Sequence, residues 1–191
     1  MKKIGITGGI GSGKTYVSKV FDSLGIPVFN ADTEAKKLMS SSSELIQSIK
    51  YEFGNDIFDD YILNTKKLAS LVFSDTEKLR KLNSLVHPIV RQEFLRWQVK
   101  KKSTYVIKEA AILFESDSYK GLDAVICVTA PINLRIDRVK LRDGYSYREI
   151  KNRIENQISQ EEKENLSDYI IVNDGVKSLL PQILKIHKLF S

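Results

Sequence analysis

Residues 8–15 read Gly8-Gly9-Ile10-Gly11-Ser12-Gly13-Lys14-Thr15, which fits the spacing G-x-x-x-x-G-K-[ST]. The run before it, Lys3-Ile4-Gly5-Ile6-Thr7, is short and apolar and reads as a strand. The run after it, Lys14 to Leu24, has helical spacing and stops at Gly25. Glycines in such a turn let backbone N–H groups face inward around an anion, in conformations that a side chain would obstruct. The helix that follows adds its N-terminal amides and the positive end of its dipole. Lys14 would bring a cation to the outer phosphates, and the Thr15 hydroxyl would ligate the magnesium that bridges them. The stretch predicts a site for a nucleoside triphosphate.

Outward from that turn, strand-like and helical runs alternate. Ile26-Pro27-Val28-Phe29 reads as a second strand, with Pro27 at its start, where a missing N–H does least harm. From Thr33 to about Lys101 the pattern is almost entirely helical. Within that block Ser43 is placed to cap a helix over Glu44–Phe53 that Gly54 ends, and Asp75 and Pro88 mark further helix starts. Thr104-Tyr105-Val106-Ile107 and Ala124–Val128 return to short β-branched runs. A helix over Ile132–Leu141 follows, and Ser146-Tyr147-Arg148-Glu149 is a capping box for another that runs to about Ile158. Asp168 to Val172 is the last strand, and a C-terminal helix starts near Val176 or Ser178 with Pro181 in its first turn.

This alternation predicts an α/β chain of the P-loop NTPase fold: three α/β/α layers around a parallel sheet, a helical insert and an arginine-bearing lid helix. One domain is expected over 1–191, with its core in 1–32 and 103–191, the insert at about 33–102 and the lid at about 132–160. Ligands of open parallel sheets bind beyond the carboxyl ends of the strands, so functional residues are expected just after strands.

The chain has 191 residues, 42% of them hydrophobic, and a formal net charge of +6. That excess suits phosphate-rich small molecules or nucleic acid, and equally an ordinary solvated surface. Basic and aromatic residues do not interleave as in nucleic-acid motifs, so no nucleic-acid partner is expected, and no obligate protein partner is evident. No run approaches the roughly 20 apolar residues of a membrane span, and the opening lacks the long apolar region of a secretory signal. The single cysteine, Cys127, leaves no internal disulfide, reads as a buried strand residue and fits a cytoplasmic location.

A guanine-reading Asn-Lys-x-Asp run is absent, and a short chain with a helical insert reads better as a small-molecule kinase than as a GTPase or ATPase motor. Asp32 follows the second strand in Val28-Phe29-Asn30-Ala31-Asp32. A carboxylate there could take a proton from an acceptor hydroxyl, or serve as N-cap of a helix beginning at Thr33, or do both. Arg135, Arg138 and Arg142 recur at helical spacing on one face, suited to clamping transferring phosphates or to pairing with Asp137 and Asp143 at the surface.

Several of these residues also occur in an ordered set. The opening Gly5 to Thr15 is followed by Ala31-Asp32, His87-Pro88, Leu113-Phe114-Glu115, Arg138 with Arg142-Asp143, and Asn173-Asp174-Gly175. From Ile4 to Gly175 the chain resembles the dephospho-coenzyme A kinase family. The resemblance implies phosphoryl transfer from ATP to the ribose 3′-hydroxyl of dephospho-coenzyme A, giving coenzyme A and ADP. Direct in-line transfer without a phospho-enzyme is expected, since no histidine or cysteine is placed to be phosphorylated. By position, Asp32 matches the family's base, and Lys14, Arg138 and Arg142 would stabilise the phosphoryl group in flight. ATP would be held by Gly9, Ile10, Gly11, Ser12, Gly13, Lys14, Thr15, Tyr16 and Arg142, with Asn173 and Gly175 bordering the adenine. Asp32, His87 and Arg91 would meet dephospho-coenzyme A, and Thr15 with Glu109 would serve Mg2+. His87 before Pro88 also fits a cap at a helix–helix corner.

The family pattern is departed from at named positions. Asn30-Ala31-Asp32 stands for Asp-Ala-Asp, Ala110 or Ala111 replaces a proline, Glu109 replaces an aspartate and Tyr16 replaces a small hydroxyl residue. Another P-loop kinase for a nucleoside or nucleotide, and a nucleic-acid-linked ATPase, are the alternative readings.

Overall fold

The computed structural model describes residues 1–60, 62–73 and 75–191, with Phe73 described by its backbone alone. Five strands, β1 (Lys2–Thr7), β2 (Val28–Asn30), β5 (Tyr105–Glu109), β6 (Ala124–Thr129) and β7 (Tyr169–Val172), form one sheet in the order β2-β5-β1-β6-β7. Every pairing in it is parallel, with Ile6 opposite Glu109 on one side and Ile126 on the other. Parallel strands are covered on both faces, which is why Tyr105, Val106 and Ile107 of β5 and Ala124 to Val128 of β6 are unbroken apolar runs.

On one face Ile4, Ile6, Tyr105, Ile107, Ile126 and Val128 pack against Val17 and Phe21 of α1 (Lys14–Ser23) and Ile183, Ile186 and Phe190 of α9 (Leu179–Phe190). Tyr105 is the fully buried centre of this layer, edge-on to Phe21 at 6.5 Å and tilted against Phe190 at 5.7 Å. Its hydroxyl avoids an unpaired burial by a 2.8 Å hydrogen bond with His187 Nδ1. On the opposite face Leu113, Leu122 and Val125 close around Gly5, and α8 (Gln160–Asn165) packs on β6.

The chain divides into two compact units, 1–30 with 100–191, and 31–99. The second comprises α2 (Ala31–Ser41), α3 (Ser43–Phe53), a hairpin of β3 (Phe58–Asp59) and β4 (Ile62–Leu63), α4 (Thr65–Phe73) and α5 (Thr76–Gln98). Helices α2, α3 and α4 all pack on α5, whose buried stripe is Leu82, Val86, Val90 and Phe94, four residues apart. Asp75 caps α5 as expected, its carboxylate accepting from the Glu77 and Lys78 N–H groups. Among the described residues no helix is long and apolar enough to cross a membrane.

Several boundaries differ from the sequence reading. Pro88 does not start a helix: α5 runs through it, because the buried stripe continues on both sides and Pro88 itself is exposed, where the carbonyl it leaves open can meet water. Ser42, not Ser43, caps α3, accepting from the Leu45 N–H. The β3–β4 hairpin interrupts the helical block, each strand being too short to show a period. The capping box at Ser146–Glu149 is present, but α7 (Tyr147–Glu155) stops at Asn156. Ser159 then accepts from the Glu162 N–H and opens the separate α8, a second S-x-x-E pattern. The arginine-bearing helix is α6 (Ile132–Asp143), closed by Gly144 in the left-handed conformation.

Candidate active site

The phosphate loop leaves β1 at Thr7 and enters α1 at Lys14, so it stands at the carboxyl edge of the sheet's middle strand. Gly13, with φ 98°, is the N-cap of α1 and has no side chain with which to cap the first-turn N–H groups. Lys14 is 9% exposed and folded back on the loop, its Nζ donating to the carbonyls of Gly8 at 2.9 Å and Gly9 at 3.2 Å. Neutral carbonyls hold an ammonium more weakly than phosphate oxygens do, so this contact leaves the cation ready for an anion.

Side chains from distant segments hold the outer rim of the loop. Arg135 Nε donates to Ile10 O at 2.9 Å, Arg138 Nη1 to Gly11 O at 3.5 Å, and Asn173 Nδ2 to Ser12 O at 2.8 Å. Arg138 Nη2 also donates to Asn173 Oδ1 at 3.3 Å. The approach is close enough to demand glycine: a Cβ on Gly11 would overlap the Arg135 carbonyl, and one on Gly13 would overlap the Asn173 amide. Both glycines also have positive φ, which a side chain would strain.

Glu109, at the end of β5 and 3% exposed, is the acid of the site. Its Oε1 accepts from Thr15 Oγ1 at 2.7 Å and its Oε2 from Asn30 Nδ2 at 2.8 Å. The register that sets Asn30 opposite Glu109 brings the two together. Behind the site, Lys163 is fully buried, and its Nζ reaches Glu115 Oε1 at 2.6 Å and Ala111 O at 3.0 Å. That pair ties α8 to the segment following β5.

The structure therefore gathers Gly9 to Thr15, Glu109, Arg138 and Asn173 around one loop. Arg142 lies elsewhere on α6, exposed and doubly bonded to Asp143, a bond that raises its pKa. Arg135 is a correction to the one-face arginine row: it is 4% exposed beneath the loop, and burial lowers its pKa. Its guanidinium is used as loop support. Tyr16 is 61% exposed, and Gly175, with φ 83°, follows Asn173 in the turn after β7. Asp32 falls in the first turn of α2, which begins at Ala31, so it is not the N-cap of a helix starting at Thr33. His87 and Arg91 lie within α5, the first half-buried and the second exposed, and no helix–helix corner exists at His87 for it to cap.

Sequence reasoning missed the role of Asn30, the Lys163–Glu115 pair, and two glutamines. Gln160 Oε1 accepts from the Gly9 N–H at 2.9 Å, and Gln157 Oε1 from the Ile10 N–H at 3.1 Å. No local pattern announces contacts across 151 and 147 positions of chain.

A parallel sheet of this order, with a lysine-bearing phosphate loop and a buried acid bonded to the loop's threonine, defines a P-loop kinase. The sequence profile described as dephospho-CoA kinase matches residues 2–178. The chain is 38% identical over 185 residues to a dephospho-CoA kinase of Bacteroides fragilis, covering 96% of this chain and 90% of that protein. Its structure is similar to a Thermus thermophilus crystal structure (TM-score 0.86, 33% identity, 98% of this chain and 96% of that one). It is also similar to the dephospho-CoA kinase of Campylobacter jejuni (TM-score 0.69, 28% identity, 98% and 96%). The chain belongs to the dephospho-CoA kinase family, a kinase family whose membership implies the use of ATP.

Proposed function

We propose that this chain phosphorylates the ribose 3′-hydroxyl of dephospho-coenzyme A with ATP, the step that completes coenzyme A. The acceptor oxygen attacks the γ-phosphorus of ATP, the bond from that phosphorus to the bridging oxygen of ADP breaks, and the hydroxyl proton passes to Asp32. Lys14 and Arg138 offset the charge spread over the transferring oxygens. Asn173 and Gly175 border the adenine, and His87 and Arg91 meet the acceptor. Catalysis of this kind is mostly positioning, and no phospho-enzyme is needed.

Thr15 and Glu109 are suited to Mg2+. Both offer hard oxygen atoms, and because Thr15 donates its proton to Glu109 its lone pairs are left for a cation. Mg2+ at such sites takes one or two protein groups together with phosphate oxygens and water, so two groups suffice. When bound it would neutralise charge between the β- and γ-phosphates. A cytoplasmic setting fits a chain with one buried, unpaired cysteine.

The observation that carries this reading is the meeting of Lys14, Thr15 and Glu109 at one edge of the sheet, in a chain matched to its family over residues 2–178. The test is ADP release with ATP and magnesium, with and without dephospho-coenzyme A, together with mass detection of the product. Acceptor-dependent release with coenzyme A as product supports it. Hydrolysis indifferent to the acceptor overturns the substrate, and a panel of nucleosides and nucleotides then identifies the alternative.

A further inference from the structure

The turn after α7 and the first residue of α8 supply the two glutamines that reach the phosphate loop. The chemistry of their partners settles how each amide is turned, since a backbone N–H can only donate. Gln160 Oε1 faces the Gly9 N–H, while its Nε2 faces Val128 O at 3.5 Å, Cys127 Sγ at 3.2 Å and Glu164 Oε1 at 3.2 Å. One side chain thus bridges the loop to the end of β6. Gln157 Oε1 faces the Ile10 N–H from the turn just past α7. The corner is itself anchored, because Glu115 Oε1 accepts from both Lys163 Nζ and the Ile158 N–H.

We propose that Gln157 and Gln160 are positioning residues of the nucleotide site. They occupy the Gly9 and Ile10 N–H groups, so those amides turn away from the cradle and the phosphates are received by the later amides, from Gly11 to the first turn of α1. Together with the donors on Ile10 O, Gly11 O and Ser12 O, they fix consecutive peptide groups of the loop from outside. The loop then needs little reordering when ATP arrives, and preorganisation of that kind shows as affinity. Neither glutamine touches the reacting atoms in this account. The inference rests on reading the loop as an ATP site.

The test uses Gln157→Met and Gln160→Met in the full chain, methionine filling similar space without an amide. Losing the acceptor of a part-buried N–H should weaken ATP binding about 10-fold in each variant, while the affinity for dephospho-coenzyme A moves less than about threefold. Amide exchange by NMR, without nucleotide, should find Gly9 and Ile10 protected in the wild type, and each should lose protection in the variant that removes its own partner. Unprotected Gly9 and Ile10 in the wild type would overturn the proposal even if a variant fails to fold. So would ATP affinities within about twofold of wild type in two variants that melt normally. A wild-type protein that binds no ATP would instead retire the site reading, because the exchange measurement needs no nucleotide.

Discussion

Asn30 donates its side-chain amide to the buried carboxylate of Glu109 across 2.8 Å. The amide supplies Oε2 with a donor and, unlike an aspartate, adds no second negative charge. Replacing Asn30 with Leu strands that oxygen, which costs about 1–3 kcal/mol and should lower kcat/KM for ATP about 10-fold. Replacing it with Asp sets two carboxylates side by side. The melting temperature of Asn30→Asp should then rise more with added magnesium than that of the wild type, as thermal melts across a magnesium series will show.

Lys14→Met should reduce turnover by at least about 10²-fold, the scale of losing one preorganised charge donor. Its ammonium donates to the loop's own carbonyls, Gly8 O and Gly9 O, and lies outside the apolar layers of the sheet, so the fold should survive. Steady-state kinetics beside a melt separate the two effects. Surviving activity would contradict the phosphate-loop assignment.

Asp32 is exposed in the first turn of α2, so Asp32→Asn should leave stability nearly unchanged. As the proton acceptor it should lower kcat by about 10²–10⁴-fold. Near-normal kcat would reduce it to a favourable charge at a helix N-terminus.

Lys163→Met removes a fully buried ammonium and takes from Glu115, whose side chain is 17% exposed, its charged partner, a loss of about 1.5–3 kcal/mol. At about 2–4 °C per kcal/mol for a chain of this size, the melting temperature should drop by about 3–12 °C. The double change Lys163→Met with Glu115→Leu should recover much of that loss, and a double-mutant cycle of melts measures the coupling.

Burial pushes the Cys127 thiol up to about 11, and burial likewise raises the Tyr105 phenol above its ordinary value. The native protein keeps both protonated where the unfolded chain has begun to ionise them. At alkaline pH the folded state binds more protons, so stability is intact below about pH 9 and falls as pH rises through the window from about 9 to 11. Denaturant titrations at pH 7, 9 and 10 check the sign. Alkylation at pH 8 should spare Cys127 until the chain unfolds.

The sheet could be read from the sequence because its strands are apolar on both faces and short, and α1 because glycine bounds it on each side. The pair Thr15 and Glu109 was likewise legible, one from the loop's spacing and the other from the family pattern. Pro88 misled because a local rule about its missing N–H lost to the four-residue stripe from Leu82 to Phe94. The paired strands β3 and β4 are too brief for periodicity to register. Arg135 was grouped with its neighbours at helical spacing, yet spacing cannot tell a guanidinium facing solvent from one lodged under a loop. Gln157 and Gln160 carried no signal because their partners depend on tertiary packing alone.

The supports of the phosphate loop have a consequence for the order in which the protein is made. Ser12 is held by Asn173, 161 positions later in the chain. At a synthesis rate of about 5–20 residues per second, that interval lasts about 8–32 s. Residues 8–15 leave the ribosome before Arg135, Arg138 and Asn173 and wait for them before their shape is secured. A nascent chain arrested before Asn173 would carry the whole phosphate-binding motif without this hold on Ser12.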